Sequence, residues 1–530
     1  MEKQKDSYDH ILKYTGLFGG VQGLNILIGV VRSKFVALIL GPEGMGLVSL
    51  FNSTITLLSN TTDFGIPMSA VRSLSEAYES GDKKRIEHTV LLIRFRSFLA
   101  AFLGLVLCAA LSPLLSRWTF DWGNHTLHFL FLSPVIALAA ITGGETAVLK
   151  GVRQLRRLAV ISLYGMLGSL LSSVPLYYVW GQAAIIPSLF IVGLIQCVLT
   201  VGYSYKLYPL RLRQIGRGDE KGIETACGTE QGYGKAMVRS LWHEGGGMIR
   251  LGVAFVLAVI MASGADFVIR GYLNHTGDLA VVGLYNAGYV MTVTYAGLVF
   301  SAMETDYFPR LSGISHLGSE LNLTVNRQIE VCLLIVSPLL VLFILVLPVL
   351  MPLLFSGKFL PVVDMMRITT VAMYFRAVSM PVEYIALSRG DSSTYLFQEG
   401  AYAVLLIVAV ILGYRFFGLT GTGWGLLAVA VVNVVMVLAY TRWRYHYRMS
   451  RDVLICLFGQ MPLGVAAVLV LLYSASLRAI SVGVVLFMIS ATFSLHQLRA
   501  KTALWTKLVG KVEGKIKKYW ENNIQTTFPE

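Results

Sequence analysis

The sequence predicts an all-α polytopic membrane protein: two six-helix repeats in parallel orientation forming two lobes around a central cavity, plus two extra C-terminal helices, about 14 in all. Three observations lead there. The 530 residues are 55% hydrophobic and only 14% charged, far too apolar for a water-soluble domain. Apolar runs of the ~20 residues needed to cross about 30 Å of hydrocarbon recur from end to end. A shift of about 238 residues lays the first six of these runs on the next six.

The first six spans run near 12–39, 45–70, 89–114, 127–148, 158–180 and 182–205. A polar stretch over 206–245 separates them from spans near 246–271, 279–303, 327–355, 363–388, 394–417 and 420–441. Two further runs, 452–473 and 478–497, lie outside the duplication. The chain thus divides into an N-terminal six-helix lobe (1–205), an inter-lobe loop (206–245), a C-terminal six-helix lobe (246–441), two added helices (442–497) and a basic tail (498–530). Residues echo at nearly the same shift: Gly46-Leu47 with Gly283-Leu284, Leu74-Ser75 with Leu311-Ser312, and Glu145 and Leu149 with Glu383 and Leu387. An even number of crossings per repeat gives both the same orientation, related by an axis along the membrane normal.

Orientation follows from the cations. With the N-terminus inside, Lys83, Lys84, Arg85, Lys150, Arg153, Arg156, Arg157, Arg211, Arg213, Arg217, Arg442, Arg444, Arg448 and Arg451 fall on the cytoplasmic side. The outer loops hold little beyond Arg117, Lys358, Arg415 and Arg478, the asymmetry of the positive-inside rule. The net charge of +14 is accounted for in this way and does not call for nucleic acid. No short apolar core with a small-residue cleavage site precedes the first span, so that helix is expected to target the chain itself. In the tail, Leu504, Leu508, Val512, Ile516 and Trp520 recur every four residues among cations. That pattern suits an amphipathic helix on the anionic inner leaflet and equally a solvated basic tail.

Ionisable residues inside spans are expensive and mark pathways or partners. Arg32 and Lys34 lie in the outer third of helix one. Two residues turn an α-helix by about 200°, so one can line a cavity while the other snorkels outward, or both can snorkel. Arg270 duplicates Arg32 to within one residue and has Asp266 one turn before it, available for an i,i+4 pair that either serves the cavity or closes on itself. Helix ten carries Asp364, Arg367, Arg376 and Glu383, with Arg376 at its centre, too deep to snorkel cheaply. Glu383 and its duplicate Glu145 are candidates for carrying protons or for pairing with arginines. Asp63 sits nearer the cytoplasmic interface, where capping or loop anchoring is also open to it. The candidate substrate-binding residues are therefore Arg32, Lys34, Arg270 and Arg376, and the candidate ion-coupling or charge-partner residues Asp266, Glu145, Glu383 and Asp63.

Absences narrow the function. There is no G-x-x-x-x-G-K-[ST] loop and no G-x-G-x-x-G between strand and helix. His243-Glu244 runs into glycines rather than completing H-E-x-x-H, and five scattered cysteines give no disulfide or metal spacing. The outer loops are too short for a catalytic domain. No enzyme, metal or cofactor is expected. G-P-E-G-M-G at 41–46 lacks the phosphate-loop lysine and reads as a tight turn joining helices one and two.

R-S-K-F-V-A-L-I-L-G-P-E-G-M-G-L-V-S-L-F-N, followed by T-D-F-G-I-P-M-S-A-V-R at 62–72, resembles the first two helices of the O-antigen and oligosaccharide-lipid flippases. These belong to the multidrug, oligosaccharidyl-lipid and polysaccharide exporter superfamily. A-D-F-V-I-R-G-Y-L at 265–273, V-G-L-Y-N-A at 282–287 and T-D-Y-F-P-R-L-S at 305–312 are similar to that family's helices seven and eight. The resemblance implies a flippase in the bacterial inner membrane, with both termini cytoplasmic. Its substrate would be an undecaprenyl-pyrophosphate-linked oligosaccharide, its neighbours membrane lipids and, in the cell, a polysaccharide polymerase or glycosyltransferases. Coupling would be to H+ or Na+. The alternative on the same scaffold is a small-molecule or multidrug cation antiporter, whose cavity should be dominated by acids and aromatics.

Overall fold

The computed structural model of the chain describes residues 2–63, 65–120, 122–209, 246–295, 300, 307–308, 310–314, 316–473 and 477–501. Residues 210–245, His243-Glu244 among them, and the amphipathic pattern of the tail lie outside the described residues. Every regular element among the described residues is helical.

The first helix, α1 (Glu2–Thr62), is divided by Gly41, whose φ of 64° and ψ of −169° suit a residue without a Cβ. Pro42, with its preset φ and no N–H to leave unpaired, opens the second arm. The tight turn expected over Gly41–Gly46 is therefore a one-residue break, and the rest of that stretch is helical. A second left-handed glycine, Gly65 (φ 69°), starts α2 (Ile66–Glu79). Ala70, Leu74 and Ala77, spaced three and four apart on α2, pack with Ile86, Val90 and Ile93 of α3 (Lys83–Thr119) and Ala147 and Val148 of α4 (Thr126–Gly151). Asp82 caps α3, accepting from the backbone N–H groups of Lys84 (2.9 Å) and Arg85 (3.4 Å).

Next come α5 (Leu155–Trp180), a short 3-10 turn (Gly181–Ala184) and α6 (Ile185–Leu207). The second half holds α7 (Gly246–Thr276), α8 (Leu279–Tyr289) with a π-helical turn after it (Val290–Tyr295), α9 (Ser319–Leu354), α10 (Val363–Ser388) and α11 (Ser392–Tyr445). The last elements among the described residues are α12 (Arg451–Tyr473) and α13 (Leu477–Lys501). Among the described residues nine helical segments are long and apolar enough to cross a membrane. Three of them contain a break that makes two crossings, at Gly41, at Gly181 and at Phe417-Gly418. The shorter apolar segment Leu279–Val293 and the charged helix α10 complete the fourteen expected from the sequence.

The duplication is visible in the backbone. A shift of 237 carries Trp180-Gly181 onto Phe417-Gly418. The first pair has φ, ψ of −114°, 1° and 56°, −132°; the second has −131°, 15° and 59°, −145°. The same shift carries Gly46 onto Gly283 and Pro42 onto Leu279. A Cβ on Gly46 would overlap the Leu279 carbonyl, and one on Gly283 would overlap the Pro42 carbonyl. Each glycine thus meets the counterpart of the residue that its own counterpart meets, the reciprocity of a two-fold contact. Hence the Gly-Leu echo: small residues let α1 and α8 cross backbone to backbone. The echoed Leu74 and Leu311 are likewise both fully buried.

The chain forms two compact units. One comprises Met1–Tyr289, Val349–Val363 and Arg389–Gly425, and the other Val290–Pro348, Asp364–Ser388 and Leu426–Glu530. In the first, α1 packs against α5, α7 and α8, and α4 against α2, α3 and α6. In the second, Val341 and Ile344 of α9, Val371 of α10, Ala467, Val468 and Leu471 of α12 and Ala479 of α13 share a core.

A polar cavity in the first unit and the charges around it

Three helices of the first unit turn polar or small faces to one space. On α4, Thr142 and Thr146 are one turn apart; on α5, Ser162, Gly165 and Ser169 follow at three and four; on α6, Gly193 and Gln196 are three apart. With Arg32 of α1 and Lys150 at the end of α4 they line a cavity of about 670 Å³, a volume suited to an organic ligand. The remaining lining residues are apolar or glycine, and among the described residues no carboxylate lines it.

The two cations are far apart along this space. Arg32 donates from Nε to Ser173 Oγ (3.1 Å), eighteen residues into α5. Lys150 lies five residues before α5 begins. At 1.5 Å per residue, those eighteen residues of α5 alone span about 27 Å.

Arg32 and Lys34 diverge, as 200° of helical rotation requires. Arg32 is half-buried in the cavity wall, whereas Lys34 donates from Nζ to the Pro352 carbonyl at 2.6 Å. Arg270 is buried in a closed set of bonds. Its guanidinium meets Asp266 Oδ2 at 2.7 Å, Ser49 Oγ at 2.8 Å and Asn286 Oδ1 at 3.2 Å. Ser49 and Asn286 are themselves equivalent under the shift of 237, so Arg270 bridges the two helices at their two-fold crossing.

Glu145 is buried against Arg94 of α3 at 2.8 Å and also accepts from Ser204 Oγ at 2.5 Å. Arg94 donates further to the Tyr208 carbonyl (2.8 Å) and lies 3.9 Å over the Tyr205 ring. Glu383 has a different setting: its Oε1 accepts from Asn433 Nδ2 at 2.7 Å, and no cation pairs with it among the described residues. Arg376 is half-buried midway along α10, where Arg367 pairs with Asp364 at 3.0 Å. Asp63 follows the last residue of α1, and its carbonyl accepts from the Ile66 N–H across the break to α2 (2.9 Å). The structure thus brings Arg32 to the cavity, closes Arg270 with Asp266, and pairs Glu145 elsewhere.

Sequence reasoning missed Arg94, Gln196 and the Ser/Thr wall. Gln196, one amide inside the run IIPSLFIVGLIQ, was the available signal.

Membrane-length apolar helices repeated along the described chain, with a polar, cation-bearing cavity among them, are those of a polytopic membrane protein. Residues 11–315, more than half of the chain, match the polysaccharide biosynthesis protein family, and the chain belongs to it. No curated protein matches the chain. Among solved structures it is similar to an inward-facing multidrug resistance MATE family transporter of the MOP superfamily, at 14% identity and a TM-score of 0.58 over 80% of this chain and 94% of that one. Lipid II flippase MurJ in an inward closed conformation shares 13% identity with a TM-score of 0.58, over 91% of this chain and 99% of that one. An outward-facing MATE family transporter gives 14% identity and a TM-score of 0.54 over 81% and 93%. At these identities the likeness is one of fold.

Proposed function

We propose that the protein is a flippase that carries an undecaprenyl-pyrophosphate-linked oligosaccharide, an O-antigen or similar surface-polysaccharide unit, from the inner to the outer leaflet of the bacterial cytoplasmic membrane. It works by alternating access coupled to H+ or Na+, with both termini in the cytoplasm and with a polymerase or glycosyltransferases as cellular neighbours. The observation that carries this reading is the cavity with Arg32 and Lys150 on its wall and, among the described residues, no carboxylate. A pyrophosphate passing through low dielectric needs fixed positive charge, and guanidinium matches its oxygens with paired donors. The hydroxyl and amide wall between the cations supplies hydrogen bonds for a glycan. A drug-cation antiporter would place carboxylates there.

Arg32 is assigned to the pyrophosphate, and Arg376, midway along α10 in the second unit, is proposed by itself as a further anion-binding cation. Arg270 and Lys34 serve by position, since their bonds to neighbouring helices occupy them. Of the two echoed carboxylates, Glu383 is the coupling candidate, because Arg94 already neutralises Glu145. The test is translocation of lipid-linked glycan in proteoliposomes. Arg32→Ala and Arg376→Ala, at wild-type expression, should each lower the rate at least tenfold, the effect of losing one charge-assisted contact. Wild-type rates in both would refute the assignment.

A further inference from the structure

Gln196 is the least ordinary residue of the cavity wall. Its carboxamide has no protein partner among the described residues. Half-buried on the cavity wall, such a group offers one acceptor and two donors to whatever occupies the space. The fold makes room for it: a Cβ on Gly165 would overlap Gln196 Oε1, so the glycine lets the amide lie against the backbone of α5. One turn further along α5, Ser169 lines the same cavity and carries a buried hydroxyl that also lacks a partner. Two neutral groups without a protein hydrogen-bond partner among the described residues, Gln196 half-exposed and Ser169 buried, therefore share one wall, on the stretch between Lys150 and Arg32.

Resting on the flippase reading, we infer that Gln196, assisted by Ser169 and given space by Gly165, is the specificity-determining contact for the glycan, binding hydroxyl or acetamido groups of the sugar next to the pyrophosphate. The division of labour is chemical. Cations hold the phosphates whatever sugar follows, whereas neutral donors and acceptors distinguish one sugar from another, because a mismatched sugar leaves them unpaired. The wall contributes nothing to a lipid pyrophosphate that lacks a sugar.

The test compares binding of two probes to the purified full-length protein in nanodiscs: bare undecaprenyl pyrophosphate, and the lipid-linked oligosaccharide extracted from the producing cell. Gln196→Leu should weaken the glycosylated lipid about tenfold, the scale of one or two lost hydrogen bonds, and leave the bare lipid within about twofold. Gly165→Ala, which displaces the amide without removing it, should give the same pattern, and Gln196→Met provides an isosteric check should leucine disturb packing. Arg32→Ala should weaken both probes. Equal losses for both probes in Gln196→Leu and Gln196→Met, or no loss in either, would overturn the inference and leave the flippase reading standing. A wild-type protein that binds neither probe would overturn both.

Discussion

Arg94→Met removes one half of the buried pair that ties α3 to α4. The side chains of Arg94 and Glu145 are 9% and 4% exposed and meet at 2.8 Å. Removing the cation leaves a buried carboxylate without its counter-charge, which costs about 3–5 kcal/mol. The bond to the Tyr208 carbonyl and the stack on Tyr205 are lost with it. Two effects limit the total: Ser204 still donates to Oε2, and the carboxyl can take up a proton. Replacing both partners by apolar residues of similar volume should cost less than Arg94→Met alone, because no charge is then stranded. The assay is thermal unfolding of the purified protein with a thiol-reactive fluorophore, since Cys108, Cys197, Cys332 and Cys456 are buried until the helices separate. Arg94→Met should lower the midpoint by several degrees, Glu145→Met by less, and Arg94→Met/Glu145→Met should recover part of the loss. A double variant whose loss equals the sum of the single losses would refute the coupling.

The two-fold crossing predicts matched penalties. Gly46→Ala and Gly283→Ala should each destabilise by about 1–3 kcal/mol, since each Cβ meets opposing backbone, whereas Gly202→Ala, with open space around its Cβ, should be neutral in the same unfolding assay. His125, just ahead of α4, has its Nδ1 3.1 Å from that of His128. Burial, and then His128, hold its imidazole below the ordinary range. The folded chain therefore binds fewer protons there than the unfolded one. The stability concerned is complete above the unfolded pKa of about 6.5 and falls as the pH drops below it. The unfolding midpoint should fall between about pH 7.5 and about pH 5.5, and His125→Phe should flatten that dependence.

The crossings and the duplication were legible because hydrocarbon thickness and a repeated gene segment both print directly into apolar spacing. The Gly46/Gly283 echo could be read as well, though not its cause, which needs α1 and α8 side by side. Charges were legible as charges, but their partners were not. Glu145 finds Arg94 fifty-one residues back in the chain, and Arg270 is held by Ser49, 221 residues away. The polar wall of the cavity was hidden for a further reason. Hydroxyls in membrane helices ordinarily return to their own backbone, as Thr142 does to the Leu138 carbonyl at 2.7 Å, so a functional serine or threonine carries no special mark in the sequence. Only a residue whose side chain is too long to satisfy itself in this way, such as Gln196, stands out.

The most direct test of the central claim is translocation by the wild-type protein in sealed proteoliposomes loaded on one leaflet with lipid-linked oligosaccharide, read by accessibility of the glycan to an external lectin. Transfer should accelerate when an H+ or Na+ gradient is imposed and should drop in Arg32→Ala, while a small lipophilic cation offered in place of the glycolipid should not be moved. Gradient-driven movement of that cation, with the lipid-linked glycan left on its original leaflet, would contradict the account.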